Sequence, residues 1–343
     1  MKFLIAGLGS IGRRHLRNLL ALGEQDILLY RTGKSTLPDA ALAELADFPV
    51  ETDLQSALDQ HPAAVIVCNP TALHLDIAIP ALQAGCHVLL EKPISNSLER
   101  IAELQQVAAN AVTNGFQVLV GFQFRYHPGL IKVAELLTNR AIGRPLSVRA
   151  HWGEYLPDWH PWEDYRTGYS ARSDLGGGVV LTLSHPLDYL RWLFGEVEAL
   201  WAFTGKISDL ELSSAVEDTA EIGLRFAGGV LGSVHLDYNQ RPPDHRLEII
   251  GTQGTITWEN ASGIASAFTA QTGSWQHYAP LPGCTQPPGF SRNDLFLDQM
   301  RHFIDVVKGQ SYPLCTLQDG IQALKLALAV VESQASSRLI KWE

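Results

Sequence analysis

The sequence predicts an α/β protein of two domains: a parallel-sheet α/β domain over residues 1–121 and an α+β domain over 122–343. Three observations lead there. The chain has 343 residues, more than one ordinary core organises. Strand and helix patterns alternate through the first third, which implies a parallel sheet with right-handed crossovers. Beyond residue 197, strand-like runs follow one another directly, separated only by turn signals, which implies an antiparallel sheet.

"KFLIA" (2–6) is a short apolar strand, and the segment after it turns helical, with Ile11, Leu16, Leu19, Leu20 and Leu22 on one side. "DILLY" (26–30), "AAVIVC" (63–68), "HVLLE" (87–91) and "FQVLVGF" (116–122) are further strands, with helical patterns at 73–85 and 97–115 between them. In the second part, 127–139 reads as a helix and 145–153 as an alternating strand. "EALWAFTGKI", "DTAEIGLRFA", "VLGSVHLDYN", "HRLEIIGT" and "GTITWE" are strands, and two amphipathic helices end the chain.

Composition narrows the function classes. A net charge of −10 argues against non-specific nucleic-acid binding, which needs a basic footprint. Four scattered cysteines with no C-x-x-C fit a reduced, cytoplasmic protein. No apolar run approaches the roughly 18 residues of a membrane span. The expectation is no nucleic-acid partner and no membrane.

Gly7-Leu8-Gly9-Ser10-Ile11-Gly12 is a G-x-G-x-x-G between a predicted strand and a predicted helix. That context makes it a Rossmann dinucleotide site. Gly7 allows the tight turn, Gly9 lets a pyrophosphate approach, and Gly12 lets helix and strand pack. The N–H groups at Ser10 and Ile11 open the helix toward the phosphates. Where an acid would bind a ribose 2′-OH, the end of the second strand carries Tyr30, then Arg31, Thr32 and Lys34. A cation and a hydroxyl suit a 2′-phosphate, so NADP is the first choice of cofactor and NAD the second.

Glu91-Lys92-Pro93 ends a strand, on the side where open α/β sheets bind ligands. Lys92 there can hydrogen-bond a substrate oxygen. In "GGGVVLTLSHPLDYLRWLFG" (176–195), Pro186 predicts a first helical position, His185 the N-cap and Asp188 the third helical residue. His185 is then either a capping or core histidine, or a general base that the positive helix end keeps neutral. Asp188 is either a helix-start carboxylate or a group that orients the His185 ring. The loop 151–178 interleaves aromatic residues, Trp162 and Tyr165 among them, with charges, a pattern suited to a sugar ring. The alternative is a loop anchored on its own core. His151, Glu154, His160 and Asp164 do not match common metal-ligand spacings, so no metal is expected.

"GLGSIGRRH", "CNPTALHLDIAIPALQAGCHVLLEKPIS", "GFQFRYHPG" and "GGGVVLTLSHPLDYLRWLFGE" together resemble the glucose–fructose oxidoreductase / inositol dehydrogenase / rhizopine-catabolism (Gfo/Idh/MocA) family, nearly end to end. The resemblance implies a C-terminal domain on a large, mostly antiparallel sheet that often forms the oligomer interface, hence a homodimer or homotetramer. It implies NAD(P)-dependent chemistry at a carbon of a sugar, amino sugar, sugar acid or cyclitol. It makes Lys92 and His185 catalytic and puts Arg125 near the substrate or nicotinamide, with Thr182 and Asp188 on the substrate side. Cys68, Asn69, Pro70, Thr71, His74 and Glu91 fall on the cofactor side. Many family members carry an Asp where this chain has Thr182, so the usual Asp–His pair is missing. Two other functions fit the same resemblance: an NAD-dependent glycosidase working by transient oxidation and elimination, and a non-enzymatic NADP-bound redox sensor.

Overall fold

The structure is a computed structural model; it describes residues 1–33, 43–161, 163–279 and 291–342. The chain forms two units, 1–122 with 296–321, and 123–295 with 322–343. Residues 296–321 thus leave the predicted second block and join the first unit.

The first unit is built on six strands: β1 (Phe3–Ala6), β2 (Ile27–Tyr30), β3 (Val50–Glu51), β4 (Ala64–Val67), β5 (His87–Leu90) and β6 (Val118–Val120). Their order is β3-β2-β1-β4-β5-β6, and every pairing is parallel. β1 and β4 are buried at every position, as strands covered on both faces must be. The helices are α1 (Ser10–Ala21), α2 (Leu54–Leu58), α3 (Leu75–Gln83) and α4 (Ile101–Thr113). The 296–321 segment joins because its own apolar groups need cover. The Val120 N–H donates to the Cys315 carbonyl (3.0 Å), and Gly320 lies against Ile94 and Val120. The order reverses direction between β1 and β4, so the carboxyl ends there form the crevice where such sheets bind ligands.

The second unit carries α5 (Pro128–Thr138), α6 (Val179–Thr182), α7 (His185–Phe194) and a nine-stranded sheet. Its strands are β7 (Pro145–Gly153), β8 (Val197–Gly205), β9 (Thr219–Phe226), β10 (Leu231–Asp237), β11 (Asp244–Gly251), β12 (Gly254–Glu259), β13 (Ala265–Thr269), β14 (Ser274–Tyr278) and β15 (Ile340–Lys341). The order is β14-β13-β12-β11-β7-β10-β9-β8-β15. The sheet is mixed and mostly antiparallel; β7 and β10 pair in parallel. The strand predicted at 145–153 is found with those limits. β13 and β14 lack a continuous apolar run, and β3 and β15 are two residues each, so none of the four is evident from periodicity. The final helices are α8 (Arg292–Val307) and α9 (Leu317–Ser336). No helix among the described residues is long and apolar enough to cross a membrane.

Candidate active site

In the first unit, three neighbouring strands end in the motifs that carry chemistry: β1 in the glycine run, β4 in Cys68-Asn69 and β5 in Glu91-Lys92. The glycines divide the labour. Gly7 has φ +98°, and a Cβ there would strike the Asn69 backbone. A Cβ on Gly12 would strike the Gly7 carbonyl. A Cβ on Gly9 would meet no protein atom within 4 Å. Gly7 and Gly12 are therefore required by packing, whereas Gly9 keeps open the space before the first turn of α1. That turn holds no acidic residue and receives no side-chain cap. Uncapped N–H groups, a positive helix end and open space above a glycine fit a dinucleotide pyrophosphate.

Around this cradle the buried polar groups act as braces. Glu91 Oε1 lies 2.7 Å from His15 Nε2, and its Oε2 accepts from the Lys92 N–H (3.3 Å). This ties α1 to the end of β5. His74 lies 2.9 Å from the Asn69 carbonyl through Nε2 and 2.9 Å from the Pro93 carbonyl through Nδ1. It links the loops after β4 and β5, and burial depresses its basicity. Cys68 donates its thiol to the Gly7 carbonyl (3.1 Å), and burial pushes that thiol well above its ordinary range. Arg31 and Thr32 follow β2, with the Arg31 N–H on the Glu51 carbonyl (3.1 Å). Lys34 lies outside the described residues.

In the second unit, α7 begins at His185, with Ser184 as N-cap and Pro186 in the first turn. The helix therefore starts one residue earlier than predicted, and Asp188 falls past the third position. Asp188 is taken up in a long-range ion pair. It receives the Arg125 guanidinium in a two-armed ion pair, Nη2 to Oδ1 at 2.7 Å and Nε to Oδ2 at 3.0 Å. Both side chains are buried, at 4% and 1% exposure. The pair clamps the turn at Gln123–Tyr126 to the start of α7.

His185 is itself buried, between the edge of Phe124 (ring centroids 4.8 Å apart) and Trp152 (5.4 Å). Behind them His245 stacks on Trp152 at 4.3 Å and approaches the Tyr189 hydroxyl at 3.3 Å. His127 caps α5 by accepting the Gly129 N–H at Nδ1 (3.0 Å). Desolvation lowers His127 to about 3 and His245 well below its ordinary value. Thr182 and Ser170 lie beside the buried phenol of Tyr238, whose pKa burial raises. Of the expected aromatic contacts, Tyr165 has its hydroxyl taken by the Glu211 N–H (3.0 Å), and Trp162 lies outside the described residues.

Trp152 belongs to the aromatic loop 151–178 singled out from the sequence, whereas His15, His127, His245 and Tyr238 were not singled out. For the histidines the local signal is a histidine inside an apolar pattern. His245, for example, occupies a buried position of β11, where alternation calls for an apolar residue.

Two family models match. The NAD-binding Rossmann fold of an oxidoreductase family matches residues 1–122, and the GFO/IDH/MocA C-terminal domain matches residues 130–257. The chain belongs to the GFO/IDH/MocA family. Its relatives include myo-inositol 2-dehydrogenase of Thermotoga maritima, 28% identical over 100% of this chain and 99% of the relative. Levoglucosan dehydrogenase of Pseudarthrobacter phenanthrenivorans is 26% identical over 83% of this chain and 81% of that one. Among solved structures, an oxidoreductase domain protein from Kribbella flavida superposes with TM-score 0.86 at 21% identity, covering 99% of this chain and 98% of that one. Levoglucosan dehydrogenase in complex with NADH and levoglucosan gives 0.84 at 20% identity, covering 99% of both. This GFO/IDH/MocA chain is accordingly an NAD(P)-dependent oxidoreductase with a Rossmann domain and a mixed-sheet C-terminal domain.

Proposed function

We propose that the chain is a dehydrogenase that moves a hydride between nicotinamide and the secondary alcohol or ketone carbon of a sugar, amino sugar, sugar acid or cyclitol. The observation that carries this reading is the placement of the Gly9 cradle, Asn69 and Lys92 at the carboxyl ends of three adjacent parallel strands. The relatives named for inositol and levoglucosan support the substrate class.

The cofactor, once bound, supplies the hydride acceptor or donor. The remaining work falls to the chain. The Lys92 ammonium donates to the reacting oxygen and stabilises the charge that gathers there. The His185 imidazole takes the hydroxyl proton in oxidation and returns it in reduction. Thr182 cannot serve as a second base near neutral pH, and the nearby carboxylate of Asp188 is held by Arg125. Arg125, Asp188, Glu91 and His74 are positioning residues. For the cofactor itself we place NADP before NAD, because Tyr30 and Arg31 occupy the place of the ribose-binding acid.

The test is a panel of cyclitols, aldoses, sugar acids and amino sugars with NAD or NADP, read by the absorbance of reduced nicotinamide. A substrate that accumulates it, a turnover loss of 10²-fold or more in Lys92→Ala and His185→Ala, and a preference for NADP that Arg31→Ala erodes are expected. Product formed without net reduced nicotinamide would place the chain with the glycosidases instead. Wild-type turnover in Lys92→Ala would overturn the assignment.

A further inference from the structure

Alternation along β7 puts Trp152 on the face that packs His185 and His245, and His151 on the opposite face of the sheet. On that opposite face the strand registers assemble two rows. One row runs Glu221, His235, His151, Arg246; the next runs Thr219, Asp237, Gly153, Asp244. Gly153 leaves a hole in the second row. A Cβ there would strike Asp237 Oδ2 and Gln240 Oε1, so both oxygens lean over that glycine. His151 and His235 close the hole from the first row, their rings stacked at 4.6 Å and 12°.

We propose that this hole is a site for one divalent transition-metal ion of the zinc type, held by His151, His235 and Asp237. One donor atom from each lies within 4.8 Å of the others, and no other such group is found among the described residues. Donors on a tetrahedral zinc stand about 3.3 Å apart. His235 Nε2 and Asp237 Oδ2 are already at 2.9 Å. Two imidazoles and a carboxylate leave a fourth position, which Gln240 Oε1, 2.6 Å from His151 Nε2, or a water can fill.

The surrounding groups are arranged as outer partners of a metal. Glu221 Oε1 lies 2.6 Å from His235 Nδ1, the carboxylate–histidine arrangement that turns Nε2 toward an ion. Asp237 Oδ1 accepts the Asn239 N–H (2.6 Å) and the Gln240 N–H (2.7 Å), which leaves Oδ2 for the hole. Asp244 Oδ2 is 3.9 Å from His151 Nε2 and also pairs with Arg246. Three carboxylates thus face two imidazoles and one guanidinium, a balance that favours a cation. The site shares no residue with the candidate active site.

The competing occupant is a proton, with His235 as an imidazolium between Glu221 and Asp237. Calorimetric titration of tag-free, chelator-dialysed full-length protein with zinc chloride near pH 7.5 distinguishes the two. About one ion per chain at micromolar or tighter affinity is expected. A tetrahedral visible spectrum with cobalt(II) is expected as well. His235→Ala and Asp237→Asn should each lose 100-fold or more, and Glu221→Gln about 10- to 100-fold. His277→Ala, which alters a histidine on β14 bonded to Ser266, should change nothing. Tryptophan fluorescence of each variant checks that it is folded. Should His235→Ala fail to fold, the wild-type stoichiometry and Glu221→Gln decide. No saturable zinc binding by the wild type, or binding that Asp237→Asn and Glu221→Gln leave intact, would overturn the site.

Discussion

Replacing Asp188 by Asn tests the clamp that fixes the start of α7. The change is nearly isosteric, but it removes the carboxylate charge paired with the buried Arg125 guanidinium. The two are joined by hydrogen bonds of 2.7 and 3.0 Å, and neither is more than 4% exposed. Removing one partner of such a pair leaves an uncompensated charge and costs about 3–5 kcal/mol. Exchanging both partners for apolar groups of similar volume is nearly neutral, because the desolvation of both charges is relieved together. All eight tryptophans lie in the second unit, so their fluorescence in urea reports on that unit alone. Asp188→Asn should lower its stability by about 3–5 kcal/mol, or its melting temperature by roughly 6–20 °C. Arg125→Met with Asp188→Leu should recover most of that loss. A single-variant cost below about 1 kcal/mol, or a double variant no better than the single, would refute the clamp as the structure draws it.

Gly9→Ala should leave the melting temperature within about 2 °C of wild type yet weaken NAD(P) binding tenfold or more by calorimetry, since the added methyl meets only the ligand's space. Gly12→Ala should instead destabilise the first unit by about 1–3 kcal/mol, read by circular dichroism, because its methyl meets the Gly7 carbonyl. Burial holds His127 at about 3, below its ordinary 6.5, so the unfolded chain binds the proton first. That contribution is therefore complete above about pH 6.5 and is lost as pH falls toward 3, by up to about 1.4 kcal/mol per unit. His127→Asn keeps an acceptor for the Gly129 N–H and should flatten the slope in urea titrations at several pH values.

The parts of the fold that were legible are those where one segment's own pattern decides the outcome. β1, β4 and β5 are apolar runs bounded by turns, and Gly7 to Gly12 announces its strand and helix by spacing alone. What stayed hidden depends on partners far away in sequence. Nothing near Asp188 says that Arg125 will take it, so a local reading makes it a helix-start carboxylate. Nothing near Glu91 says that His15 will come from α1 to lie 2.7 Å from its Oε1. The same limit bears on Thr182. By sequence it is a missing acid, a gap in a proton-transfer pair. In three dimensions the buried Thr182 lies near the Tyr238 phenol, just after β10, and the Ser170 hydroxyl from the loop before α6. A carboxylate there would have to shed its hydration beside a phenol that burial already keeps protonated.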